Sequence, residues 1–151
     1  MTDVAHCILL RERIAAHPER LDQGWWVRVA NPPRHVPRFE REDAWTCGTT
    51  ACAAGHSIIL AGWRPVLEDT ADGLIAGRCY NVQPADNPSD IVVYRKIQEV
   101  AREWLGLTTE QAKYLFDGRG TYVSVLAMLD ALIAADEGMF KQLMDQIAET
   151  P

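Results

Sequence analysis

The chain has 151 residues, 48% of them apolar and 24% charged, enough for one packed domain and too apolar for wholesale disorder. Its 15 basic and 21 acidic side chains leave a net charge of −6, which argues against a general polyanion-binding or membrane-binding role. The charge is uneven: residues 1–64 carry 8 basic and 7 acidic groups, residues 65–151 carry 7 and 14.

Apolar runs such as Ile58 to Ala61 are too short to cross a bilayer. The stretch Cys7-Ile8-Leu9-Leu10 meets Arg11-Glu12-Arg13 at once, unlike a signal peptide. The expectation is a cytoplasmic protein with no membrane association. Its cysteines, Cys7, Cys47, Cys52 and Cys79, would then be thiols or metal ligands rather than disulfides.

In chain order, Thr2 caps a first helix to Ala16, with Val4, Cys7, Ile8, Leu10 and Ile14 at helical spacing. Pro18 to Leu21 reads as a turn. Gly24 to Glu42 contains Pro32, Pro33 and Pro37 and reads as an irregular loop, with a short extended piece at Trp25 to Val29. A second helix is expected from Thr49 to Gly62. Val66-Leu67 and Cys79 to Val82 suggest a small hairpin turning around Asp72-Gly73.

Ser89 or Asp90 caps a helix ending at Gly106, with a buried stripe of Ile91, Tyr94, Ile97, Ala101, Trp104 and Leu105. Thr108 and Gln111 form a capping box for the next helix, stopped by Gly118. Tyr122 to Ala135 and Met139 to Ala148 read as an antiparallel helix pair meeting at Asp136-Glu137-Gly138. Trp104, Leu115, Phe116, Leu129 and Ile133 are expected to be buried. The fold class expected is mainly α: one globular domain over 1–151, a bundle of five or six helices with an irregular Pro/Arg/Trp loop and one small hairpin.

The least ordinary segment is Trp45-Thr46-Cys47-Gly48-Thr49-Thr50-Ala51-Cys52-Ala53-Ala54-Gly55-His56. With Leu105-Gly106-Leu107-Thr108-Thr109-Glu110-Gln111-Ala112-Lys113-Tyr114-Leu115-Phe116, it resembles an uncharacterised family of short bacterial and phage proteins. That family carries a Trp, then Cys-Gly-Thr-x-x-Cys-x-Ala-Gly, then a Leu-Gly-Leu-Thr helix pair. The resemblance spans roughly residues 40–130 and implies an α-rich cytosolic domain, without an activity. His56 departs from the pattern, which has an aromatic residue there.

Physically the motif reads as a helix start, with Thr49 or Thr50 capping and Cys52 a small buried hydrophobe. Two sharper readings compete. Cys52 and His56 share a helix face, and with Cys47 and Cys79 they have ligand types that suit zinc, although no Cys-x-x-Cys pair occurs. Alternatively, Cys47 precedes a helix N-terminus, where a thiol becomes more acidic, with His35 or His17 as a base.

Gly106-Leu107-Thr108 between two helices resembles a helix-turn-helix, but Glu110 and Asp117 on the second helix oppose phosphate, and a helical hairpin reads better. Phosphate loops and nucleophile elbows are missing from the sequence. The remaining surface of interest mixes aromatics with cations: Trp25, Trp26, Arg28, Arg34, Arg38 and Arg41. It suits packing over the core, protein binding, or stacking on single-stranded nucleic acid. The leading expectation is a non-enzymatic, cytoplasmic protein-interaction domain, phage- or prophage-encoded, binding a host or partner protein without a cofactor. The alternatives are the zinc or thiol site, and nucleic-acid binding through that loop.

Overall fold

The structure is a computed structural model and describes residues 1–29, 49–71, 73–83 and 91–151. Among these lie six α-helices: α1 (Val4–Ala16), α2 (Ala53–Leu60), α3 (Ile97–Leu105), α4 (Thr109–Leu115), α5 (Tyr122–Ile133) and α6 (Glu137–Glu149). A 3-10 turn, Pro18–Arg20, follows α1. Seven strands accompany them: β1 (Val27–Val29), β2 (Thr49–Ala51), β3 (Arg64–Pro65), β4 (Glu68–Thr70), β5 (Gly73–Ala76), β6 (Arg78–Gln83) and β7 (Ile91–Lys96).

The strands form two antiparallel sheets, ordered β2-β1-β5-β4 and β3-β6-β7. The mainly α bundle expected from the sequence is therefore corrected to an α+β fold. The largest error falls on residues 91–106. Ile91, Val92, Val93 and Tyr94 are β-branched or aromatic, so they lose rotamer freedom in a helix and pack well on a pleated surface. With β6 available as a partner they extend into a strand, and the helix starts only at Ile97. Tyr94, expected in the buried stripe, is exposed.

The second helix is also shorter than expected. Thr49 to Ala51 pair with β1, and Cys52, rather than a threonine, occupies the cap of α2. At the first helix the cap is Asp3, whose carboxylate accepts from the His6 N–H, and not Thr2. Asp72 lies outside the described residues, but Thr70 pairs with Gly73, so a hairpin does close beside Gly73 as expected. Its arms, however, are β4 and β5, while Cys79 and Tyr80 pair with Pro65 and Arg64.

The C-terminal helices follow the sequence closely. Thr108 and Gln111 form the capping box of α4, and Thr121 and Ser124 form another at α5. Leu115, Phe116 and Leu129 are buried as expected, but Trp104 and Ile133 are only partly so. Helix α1 packs on α2, α3 and α5, α2 packs on α3, and α6 closes on α5. Leu10, Ile14, Ile58, Ile97, Leu105, Met128 and Leu129 are fully enclosed between them.

Three helices end alike. The N–H of Trp63 bonds back to Ile58, that of Leu107 to Arg102 and that of Asp136 to Ala131, at 2.9, 3.0 and 2.8 Å. Each closure needs a left-handed residue, supplied by Gly62, Gly106 and Ala135. Gly106 meets a second demand, since a Cβ there would lie 2.3 Å from the Met1 carbonyl oxygen. Ala135, at φ 53°, is the only one of the three with a side chain. Ala135→Gly should therefore raise unfolding stability by about 0.5–1 kcal/mol, read from urea melts. An unchanged or lower midpoint would contradict that strain.

Candidate functional site

The Cys-x-Ala-Gly segment lies where α2 begins, against the chain entering β1. A Cβ on Gly55 would sit 1.8 Å from the Trp26 carbonyl oxygen and 2.7 Å from the Ala51 Cβ, so only glycine permits this approach. The same closeness brings the Cys52 N–H to the Trp25 carbonyl at 2.8 Å and the Cys52 thiol to within 3.9 Å of the Trp26 carbonyl.

Gln23 fastens the arrangement from below. Its side-chain oxygen accepts the Ala53 N–H at 2.8 Å, satisfying a helix-start donor. Its amide nitrogen donates to the carbonyls of Leu115 and Asp117 at 2.9 and 3.2 Å, where α4 ends. One buried amide thus joins the start of α2 to the end of α4. Sequence reasoning passed over Gln23 because a lone glutamine in a turn carries no periodic signal. Gln23→Ala would strand buried groups on both helices and should cost about 3 kcal/mol, checked by chemical denaturation. A loss within about 0.5 kcal/mol, typical of a surface substitution, would show that the bridge is dispensable.

His56 is fully buried in α2. Its Nδ1 accepts from Arg13 Nε at 3.0 Å, and its Nε2 donates to the Arg20 carbonyl at 3.0 Å. Burial pushes its pKa down to about 4; the bond to Arg20 opposes that, and the charges of Arg13, Arg20 and His17 add to it. The folded value lies below the usual 6.5, so the unfolded chain takes up the proton first as the solution is acidified. The contribution is complete above about pH 6.5 and lost as pH falls toward 4, on the order of 3 kcal/mol in all. His56→Gln, which keeps one donor and one acceptor, should flatten the stability profile between these limits. An unaltered profile would remove His56 as its cause.

These contacts bear on the zinc and thiol readings. Cys52 and His56 share α2, but both His56 ring nitrogens already have protein partners. Cys79 lies in the other sheet, with its thiol 3.6 Å from the Arg95 carbonyl. Among the described residues no group of three or more His, Cys, Asp or Glu is gathered to hold a metal ion. Cys7, Cys52 and Cys79 are buried, and burial raises their thiols to about 11, 12 and 12. None of the three is therefore an activated nucleophile. His17 lies 3.4 Å from Glu19. Cys47 and His35 lie outside the described residues.

Of the aromatic and cationic surface, Trp25, Trp26 and Arg28 are described; Arg34, Arg38 and Arg41 lie outside the described residues. The chain leaves β1 at Val29 and returns at Thr49, its register partner. Arg28 lies over the Trp25 ring at 5.1 Å. Trp26 turns toward α4 and meets Phe116 edge to face, with centroids 6.5 Å apart. It forms one wall of a groove of about 420 Å³ between α3 and α4. Ala112 and Phe116 lie on the apolar side of the groove, and Glu99, Arg102 and Lys113 supply its charges. The helix pair singled out by Leu-Gly-Leu-Thr thus meets the Trp-rich segment at one cleft. Sequence spacing gave no sign of that meeting, because α3 and Trp26 are far apart along the chain.

Among the described residues, no helix is long and apolar enough to cross a membrane. No protein-family model, curated protein or solved structure matches the chain.

Proposed function

We propose that the chain is a non-enzymatic, cytoplasmic protein-interaction domain, phage- or prophage-encoded, that binds a host or partner protein. The observation that carries this reading is the groove between α3 and α4. It combines a partly exposed tryptophan, a buried phenylalanine edge and flanking charges of both signs. An apolar centre with a polar rim and aromatic and arginine anchors is the composition of protein interfaces. The phage setting rests on the motif resemblance alone.

The test compares wild type with an Arg102→Glu/Lys113→Glu double variant, both immobilised and exposed to bacterial lysate. Wild type should retain a defined protein above a denatured control. The double variant should lose it while its melting temperature stays essentially unchanged, because Arg102 is partly exposed and Lys113 exposed. Equal retention by both, or retention by neither, would overturn the reading.

A further inference from the structure

Among the described residues, strand β7 is an edge strand, since the sheet order is β3-β6-β7. Its register with β6 and the bond from the Ile97 N–H to the Gly77 carbonyl set the phase of the ladder. Arg95 and Val93 turn their main-chain groups to β6, so those of Val92 and Tyr94 and the N–H of Lys96 point to the open edge. The side chains of Val92, Tyr94 and Lys96 share one face and are exposed, Val92 at 44% and Tyr94 at 55%. Arg78 stands directly opposite Lys96 in the register. Two like charges in that position repel one another. Neither has an ion pair among the described residues, whereas neighbouring Arg95 on the other face is held by Glu103 at 2.6 and 2.7 Å.

We propose that β7 accepts an extended segment of a partner protein as an additional antiparallel strand, and that the segment carries an acidic residue opposite Lys96. Main-chain bonds from Val92 and Tyr94 supply affinity, and the side chains on the exposed face supply selectivity. The Arg78–Lys96 pair fixes the chemistry, because an acid placed opposite Lys96 pairs with it and offsets its repulsion with Arg78. Apolar side chains opposite Tyr94 and Val92 complete cross-strand pairs. Read along an antiparallel partner, the pattern is acidic–x–apolar–x–apolar. This surface is separate from the α3–α4 groove, so the two proposals stand or fall independently.

The experiment uses the whole chain and a synthetic probe, acetyl-Glu-Thr-Val-Thr-Val-Thr-amide, with residue-resolved amide hydrogen exchange. The probe should slow exchange at Val92 and Tyr94, whose N–H groups face the open edge. Val92→Pro removes only an outward N–H and leaves the β6 ladder intact, and it should abolish the effect. Lys96→Glu should weaken binding by about tenfold, and a probe with Lys in place of Glu should restore binding to that variant. No protection at millimolar probe, or protection that ignores the charge swap, would overturn the proposal. Concentration-dependent protection of the same amides without probe would assign the edge to a second copy of the chain instead.

Discussion

The fold depends on how closely the start of α2 approaches the backbone of Trp26. With no side chain at position 55, the helix rests directly on a peptide carbonyl. That contact lets the Cys52 N–H reach the Trp25 carbonyl and holds Ala51 in register with Val27. It also brings the Ala53 N–H within reach of Gln23, whose other end closes α4. A side chain of even one carbon would push α2 outward and part these bonds together. The small residues at 51 and 55 thus serve backbone proximity.

The same packing explains the chemistry of His56. It sits one turn into a helix that has no room beside it, and its two nitrogens tie α2 to Arg13 of α1 and to the turn at Arg20. A histidine so enclosed is held neutral, because ionisation would place a charge away from water beside Arg13. It therefore acts as a neutral hydrogen-bonding bridge between three segments. The buried thiols fit the same pattern: burial outweighs even the Arg95 charge beside Cys79, and each behaves as a small apolar side chain.

Because the glycine contact fixes Trp26, it also fixes the wall of the α3–α4 groove. Trp26 meets Phe116 from the side, and Phe116 lies one residue beyond α4. Gln23 holds the carbonyl of Leu115, the residue before Phe116. The two short motifs of the sequence, one around Cys52 and one around Leu107, are thus mechanically joined through residues 23 and 26. The groove belongs to this junction rather than to either helix alone.

The sequence by itself determined the features that depend on local chemistry. The capping box at Thr108 acts over three residues, and glycine at 62 and 106 ends a helix whatever surrounds it. The stripes of α5 and α6 repeat often enough to specify one face. Only the tertiary structure decided the strands. Segments of two or three residues, such as Thr49–Ala51 or Arg64–Pro65, have no intrinsic preference strong enough to be read, and they extend because a partner lies alongside. Ile91 to Tyr94 satisfied a helical spacing and a β composition at once, and pairing with β6 settled the choice. The roles of Gln23, His56 and Trp26 were likewise hidden, because each lies in contacts between segments that no spacing along the chain records.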